Sequence, residues 1–267
     1  MRIAFVADSH LSSRAPECVH NWIGAARAVA ALRAELTVHL GDITLDGQSS
    51  PDELGFAGRL IDAWPTPMHC VPGNHDMGTG SGEEPVDPRR LAACEAAFGP
   101  GYWAVNCGDW QLLGVNAQLL GSGTPEEDQQ WRWLEERATA GTKTHTALFL
   151  HRPLARPSAA ERTRAGRYVA DAARERLSQG PLHASLRCVF SGHTHQFLDL
   201  RHLAPRHVWV PSTAFVLPDA VQARVGEKVV GLGLLELEGP LMRFQLLRTG
   251  DMLAHDASRL AFWTATH

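Results

Sequence analysis

The chain has 267 residues, of which 44% are hydrophobic and 20% charged, a size and composition typical of a globular protein with a substantial core. Its formal net charge of -4 argues against a nucleic-acid polymer or a membrane surface as a partner, so an anionic substrate requires local positive charge. No apolar run approaches the roughly 20 residues that span a bilayer, and the N-terminus becomes polar too early for a signal peptide. The five cysteines lack CxxC spacing. We therefore expect reduced thiols and a cytoplasmic location.

Short apolar runs of strand length alternate with segments of helical periodicity along most of the chain. The predicted strands cover residues 3–7, 36–40, 68–71, 146–150 and 187–190. The predicted helices cover residues 19–33, 51–64, 125–138 and 166–177. The strand segments are continuously apolar rather than alternating, which is typical of strands that are buried on both faces.

Two stretches depart from this alternation. Residues 102–115 predict a β-hairpin that turns at 107–109, and residues 197–247 predict several strands with hardly any helix. We therefore expect an α/β fold in which two mixed β-sheets pack face to face with helices outside, a four-layer αββα sandwich formed by residues 1–267 as a single domain. Segments 77–85 and 152–167 are predicted to be long loops, and composition alone favours solvated connections for both.

Short polar motifs follow five of the predicted strands, where loops converge at the carboxyl ends of α/β sheets and bind ligands. Each motif alone is weak, because Asp-x-His and Gly-Asp are common by chance and a lone histidine after a strand is more often a hydrogen-bonded structural residue. Their joint occurrence in this order predicts one pocket. The motifs are Asp8-Ser9-His10, Gly41-Asp42, Gly73-Asn74-His75-Asp76, His151 and Gly192-His193-Thr194-His195.

This mixture of side chains suits two metal ions that act on a phosphoester. Two divalent ions roughly 3.5–4 Å apart can lower the pKa of a shared water and hold the oxygens of a phosphoryl group. Imidazole suits Mn, Fe, Zn or Co, and carboxylate and amide oxygens suit hard cations. No cysteine joins the motifs, which disfavours a closed structural zinc site. Glycines before Asp42, Asn74 and His193 allow the backbone to turn sharply beside an ion.

The ordered pattern D-x-H, G-D, G-N-H-[DE], H and G-H-x-H resembles that of the calcineurin-like metallophosphoesterase superfamily, and every position is matched between Asp8 and His195. The resemblance implies the αββα sandwich and a binuclear centre of Mn²⁺, Fe²⁺/Fe³⁺, Zn²⁺ or Co²⁺. It assigns seven metal ligands. One ion is expected to be held by Asp8, His10 and His195, and the other by Asn74, His151 and His193. Asp42 is expected to bridge the two ions.

The resemblance also implies roles for two residues that are not metal ligands. His75 is expected to contact the phosphate and to stabilise or protonate the leaving oxygen, after attack by a hydroxide that bridges the metals. Asp76 is expected to orient His75.

The compact motif arrangement is similar to that of the class III cyclic-nucleotide and glycerophosphodiester phosphodiesterases, including the segment 41–47 around the second motif. One departure concerns substrate choice. That branch often has His-His-Pro around the isolated ligand, whereas this chain has Arg152 after His151, and a guanidinium there is a candidate to bind phosphate oxygens bidentately.

Three functions remain open from the sequence. The favoured one is a phosphodiesterase that acts on a small molecule, and the alternative is a phosphomonoesterase for a nucleotide or small phosphorylated metabolite. The third is a non-catalytic scaffold, which the complete ligand set disfavours because a scaffold can lose ligands freely. Trp131 and Trp133 lie two apart on a predicted helix, so one of them is a candidate for an interface, and a homodimer is possible.

Overall fold

The computed structural model describes residues 1–79, 86–139, 144–157 and 166–266. The helices are α1 (Pro16–Leu32), α2 (Pro51–Asp62), α3 (Asn74–Met77), α4 (Pro88–Phe98), α5 (Pro125–Thr139), α6 (Asp171–Gln179) and α7 (Ala261–Thr266). The strands are β1 (Arg2–Val6), β2 (Leu36–His39), β3 (Met68–Cys70), β4 (Trp103–Cys107), β5 (Trp110–Gly114), β6 (His145–Leu150), β7 (Leu186–Ser191), β8 (Leu198–Leu200), β9 (Arg206–Trp209), β10 (Phe215–Val216), β11 (Leu232–Glu238), β12 (Leu241–Leu247) and β13 (His255–Asp256).

Two mixed sheets contain most of these strands. The first sheet has the order β12-β11-β1-β2-β3, with β1, β2 and β3 parallel and β11 antiparallel to β1. The second has the order β4-β5-β6-β7-β9-β8, in which β5, β6, β7 and β9 are parallel and the edge strands β4 and β8 are antiparallel to their neighbours. The predicted hairpin of residues 102–115 is therefore confirmed as β4 and β5. A short additional ladder pairs β10 with β13.

The inner faces of the two sheets form the central core. Phe5 of β1 is fully buried there, and its ring centroid lies 5.4 Å from that of Phe149 and 4.7 Å from that of Phe190 on the opposite sheet. The alternate residues Ala4 and Val6 face the helices instead. The strand is thus buried on both faces, which explains why its sequence is continuously apolar.

Helices cover the outer face of each sheet. Trp22 and Val29 of α1 pack with Ala4 and Val6 outside the first sheet, and residues of α5 and α6 pack outside the second. The layers therefore follow the order helix, sheet, sheet, helix, and the predicted αββα sandwich is confirmed. None of the described helices combines the length and the apolar character needed to cross a bilayer.

Two predicted helices begin at different residues, and the helices α3, α4 and α7 were not predicted. Helix α1 begins at Pro16, three residues before the predicted start. Residues 166–170 are not helical, because Val169 is buried in the outer core and its N–H donates to the carbonyl of Pro153, so α6 begins only at Asp171. Helix α4 was not predicted, although the carboxylate of Asp87 caps its first turn. Parts of the two predicted long loops, 80–85 and 158–165, lie outside the described residues.

The two neighbouring tryptophans of α5 have different surroundings. Trp131 is buried in the outer core. Trp133 is half-buried, and its ring centroid lies 4.9 Å from that of Tyr102. Trp133 therefore has a packing partner within its own chain.

Candidate active site

The predicted metal ligands lie together at one end of the sandwich. Asp8, Asp42 and Asn74 follow the parallel strands β1, β2 and β3 of the first sheet, whereas His151 and the His193 motif follow β6 and β7 of the second. Strands β4 and β5 separate β3 from β6 in the chain, so the five strands that precede the ligand motifs are not consecutive. The cluster is therefore assembled between two sheets, each of which contributes neighbouring parallel strands.

The first group of ligand atoms comes from the loops after β1 and β7. The Nε2 atoms of His10 and His195 lie 3.2 Å apart. The same atom of His195 lies 3.6 Å from Oδ1 of Asp8. The Asp8 carboxylate also accepts hydrogen bonds of 3.0 Å at both oxygens from the backbone N–H of His193, which ties the two loops together.

The second group surrounds Nε2 of His151. This atom lies 3.3 Å from Oδ2 of Asp42, 3.2 Å from Oδ1 of Asn74 and 3.0 Å from Nδ1 of His193. Asp42 connects the two groups, because a carboxylate oxygen of Asp42 comes within 4.8 Å of ligand atoms from His10 on one side and from His151 and His193 on the other.

Hydrogen bonds at the far sides of the rings determine which nitrogens face the centre. Nδ1 of His151 donates to the carbonyl of Leu40 at 2.8 Å, and Nε2 of His193 donates to the carbonyl of Gly166 at 3.2 Å. In the neutral imidazoles, the two nitrogens that face each other at 3.0 Å are therefore both unprotonated. Two lone pairs at this distance repel unless a proton or a metal cation lies between them. A divalent ion can accept both lone pairs in place of the proton, so the donor set fits a metal site.

Burial shifts the pKa values of these groups in the direction that metal binding requires. Burial lowers the pKa of His10 and of His193 well below the usual value, and lowers that of His195 to about 4, so these rings are neutral near pH 7. Burial also acts to lower the pKa of His151, but the Asp42 carboxylate outweighs it and raises the pKa to about 9. A cation bound there displaces one proton.

The backbone at the cluster is strained. Among the described residues other than glycine, six have positive φ, and five of these are predicted metal ligands: Asp8, His10, Asp42, His193 and His195. Each such residue costs of order 1–3 kcal/mol and persists only where the surrounding structure enforces it.

Two glycines make the close packing of this strained cluster possible. Gly41 has φ 90°, and a Cβ there would lie 2.7 Å from Nδ1 of His151. A Cβ at Gly73 would lie 2.1 Å from the backbone nitrogen and Oδ1 of Asp42. A side chain at either position would displace a predicted ligand.

A cavity of about 540 Å³ opens onto the cluster. Its wall combines ligand side chains, two arginines and a set of apolar residues from the C-terminal part of the chain. The lining residues are His10, Arg14, Asp42, Leu45, Asp46, Gln48, Asn74, His75, Arg167, His193, His195, Phe215, Leu217, Gln222, Phe262 and Trp263.

Comparison with known proteins identifies the family of the chain. The family model of the calcineurin-like phosphoesterases matches residues 1–197, which include all seven predicted ligands. The chain belongs to the calcineurin-like phosphoesterase family. The resemblance of its motifs to that superfamily is thus confirmed.

Individual phosphoesterases resemble the chain at different levels. The "Serine/threonine-protein phosphatase CPPED1" of Pongo abelii is 30% identical over 136 residues, which are 49% of this chain and 42% of the relative, so the match spans about two fifths of that protein. A dimetal phosphatase from Danio rerio is 16% identical with a TM-score of 0.67, over 92% of this chain and 95% of the other. The purple acid phosphatase PPD1 from yellow lupin is 14% identical with a TM-score of 0.70, over 96% and 52%. At these identities the two solved structures show a shared fold.

Arg152 of this phosphoesterase does not occupy the position expected of a phosphate ligand. Its side chain is buried, Nη2 donates to the carbonyl of Thr79 at 2.7 Å, and it does not line the cavity. Burial lowers its pKa. The structure thus directs the Arg152 side chain to Thr79 rather than into the cavity, and its binding of phosphate oxygens stays a prediction. The lining arginines are Arg14 and Arg167, which motif reasoning missed, although Arg14 follows the first motif and Arg167 ends the arginine-rich loop.

Asp76 binds backbone N–H groups of two loops. Its carboxylate accepts hydrogen bonds from the backbone N–H groups of Gly73 at 2.8 Å, Thr44 at 2.8 Å and Ile43 at 3.1 Å. Nδ1 of His75 instead donates to the carbonyl of Leu45 at 2.8 Å. The ring of His75 is therefore oriented by the Leu45 carbonyl and not by direct contact with Asp76, and an orienting role of Asp76 through the loop stays a prediction. Asp76 joins the loops after β2 and β3, and a main-chain carbonyl orients His75.

Metal binding should stabilise this phosphoesterase, because the cluster of donor atoms that holds a cation is assembled in the folded state only. At a metal concentration one hundred times Kd, the gain is about 2.7 kcal/mol. For a chain of this size that corresponds to a rise in Tm of about 5–10 °C. Thermal denaturation of EDTA-treated protein, with and without added Mn²⁺, measures it. A Tm that does not depend on any of Mn²⁺, Zn²⁺, Fe²⁺ and Co²⁺ would contradict the metal site.

Proposed function

We propose that this phosphoesterase is a binuclear metal-dependent hydrolase. The observation that carries the proposal is the convergence of imidazole nitrogens on buried carboxylates, with Asp42 between two groups of donors. The first ion would be held by Asp8, His10 and His195, the second by Asn74, His151 and His193, and Asp42 would contribute a ligand to both. The imidazole-rich donor set favours Mn, Fe, Zn or Co.

The ions, when bound, lower the pKa of a water and neutralise phosphoryl oxygens. His75 is proposed to assist the leaving group. Because Nδ1 of His75 donates to Leu45, its Nε2 is the atom available to the cavity that the ring lines. The His75 ring centroid lies 4.9 Å from that of His10, so the ring is beside the metal cluster without being one of its predicted ligands. Asp76 supports this arrangement by positioning the loop that carries His75.

A phosphodiester is the proposed substrate class, as in the cyclic-nucleotide or glycerophosphodiester type. A diester carries one negative charge less than a monoester dianion and needs room for a second organic group. The cavity offers that room and an apolar wall. Arg14, one of its two arginines, is already paired, with Nη2 at 2.7 Å from Glu53 and 3.5 Å from Asp46. This pairing reduces the positive charge available to a monoester dianion.

A phosphomonoesterase is the second candidate. Two observations favour it: the curated relative is named a protein phosphatase, and Arg167 lines the cavity beside the metal cluster. An arginine there can bind the additional phosphate charge.

Chromogenic substrates distinguish the two candidates. We expect metal-loaded protein to hydrolyse bis(p-nitrophenyl) phosphate with a kcat/KM at least about tenfold above that for p-nitrophenyl phosphate, since the apolar wall contributes binding energy only to the diester. Steady-state kinetics with Mn²⁺ measure both values. Faster hydrolysis of the monoester than of every diester tested would favour the phosphomonoesterase.

A further inference from the structure

The apolar wall of the cavity comes from a part of the chain that lies beyond the matched family region, residues 1–197. Strand β10 carries Phe215 and pairs in parallel with β13, from which the chain continues into α7. This pairing brings Phe262 and Trp263 of α7 to the cavity that Phe215 also lines. The wall therefore lies outside the segment that carries the family motifs and adjoins the site that they form.

Aromatic contacts extend without interruption from the predicted metal ligands to this wall. The ring centroid of Phe215 lies 4.9 Å from that of His10 and 4.8 Å from that of His195. On its other side, it lies 5.7 Å from the ring centroid of Phe262. An organic group on a phosphate held at the cluster would therefore lie against aromatic side chains.

Gln222 adds a hydrogen-bond donor to the same wall, and its neighbours determine its orientation. Oε1 of Gln196 accepts hydrogen bonds from the backbone N–H groups of Val225 at 2.7 Å and Gly226 at 2.8 Å. Nε2 of Gln196 must then donate, and it donates to Oε1 of Gln222 at 2.5 Å. The side-chain NH₂ of Gln222 is therefore directed away from Gln196, on a residue that lines the cavity.

We propose that Phe215, Gln222, Phe262 and Trp263 form a subsite for the organic group of the substrate, and that this subsite selects a planar aromatic ring that carries a hydrogen-bond acceptor. A heteroaromatic ring with a carbonyl oxygen meets both requirements, since its face packs against the aromatic side chains and its oxygen accepts from Gln222. An aliphatic group meets neither, and leaves the Gln222 donor without a partner. The inference rests on the proposed phosphodiesterase function.

Three diesters with the same p-nitrophenolate leaving group test the subsite, because they differ only in the second ester group: thymidine 5′-yl, phenyl and methyl. Wild-type kcat/KM should fall in that order, by about tenfold or more from first to last, as expected from base–aromatic stacking and one hydrogen bond. Trp263→Leu, which keeps an apolar side chain but removes the ring, should lower the preference for both aromatic esters over the methyl ester. Trp263→Phe should retain most of that preference. Gln222→Leu should reduce the preference for thymidine over phenyl, and Gln179→Leu on the exposed face of α6 is the matched control.

Equal kcat/KM values for the three esters would overturn the subsite while leaving the phosphodiesterase intact. If the wild-type protein hydrolyses none of the three esters, that result would instead count against the proposed function. In that event the binding of thymidine 5′-phosphate to metal-loaded protein, measured by calorimetry, still tests the subsite. Affinity that is the same in wild type and Trp263→Leu would overturn it.

Discussion

Asp42→Ala should remove both metal ions and lower kcat/KM by more than about 10³-fold, the largest effect that we expect from a single substitution. The Asp42 carboxylate lies between the two groups of donors. Its Oδ2 atom is 3.3 Å from Nε2 of His151, and one of its carboxylate oxygens lies within 4.8 Å of an imidazole nitrogen of His10. Its burial acts to raise its pKa, but His151 and His75 outweigh burial and keep the pKa well below the usual range. The protein therefore holds a buried anion at the position that two cations would share.

Elemental analysis of purified protein measures the metal content directly. We expect two ions per chain in the wild type, none tightly bound in Asp42→Ala, and one retained in His10→Ala, because His10 belongs to one group only in the proposed assignment. His202→Ala, at an exposed histidine outside the cavity, is the matched control. Retention of two tightly bound ions by Asp42→Ala would show that Asp42 does not bridge.

His75→Ala should keep both ions and lose a factor of about 10²–10⁴ in kcat, the range typical of general acid–base help. The loss should be greatest for substrates with poor leaving groups, since p-nitrophenolate needs little protonation. Diesters with phenolate leaving groups of graded pKa, assayed with wild type and variant, give the dependence. The His75 ring is oriented by the carbonyl of Leu45, so substitution at Asp76 should act through the loop position rather than through this hydrogen bond.

Two other outcomes for His75→Ala are informative. His75, His10 and Asp42 offer ligand atoms within 4.8 Å of one another, so loss of an ion from the variant would identify His75 as a metal ligand instead of an acid. An equal loss of kcat for all leaving groups, with both ions retained, would contradict proton donation and leave electrostatic stabilisation of the phosphate as the role of His75.

The order of elements and the identity of the candidate ligands could be predicted from the sequence because both depend on local signals. Continuous apolar runs predict strands that are buried on both faces. Strand β1 shows why, because Phe5 packs in the core between the two sheets while its neighbours in sequence face the helices. Each ligand motif directly follows such a strand, so the chain order of the motifs already predicts which side chains meet. The amino-acid sequence by itself thus determined the αββα layers and the residues that gather at one end.

Tertiary structure decided the details that depend on distant parts of the chain. Arg152 follows His151, yet its guanidinium lies buried against Thr79, because the packing around it rather than its neighbour in sequence sets its direction. Asp76 adjoins His75 but binds backbone N–H groups of two loops.

The cavity wall required a strand pair between residues 215–216 and 255–256, which no local pattern encodes. The sequence determined which groups could hold metal, because that chemistry belongs to the side chains themselves. Only the three-dimensional packing decided what surrounds them and which substrate they can accept, because the direction of a side chain depends on contacts with residues far away in the chain.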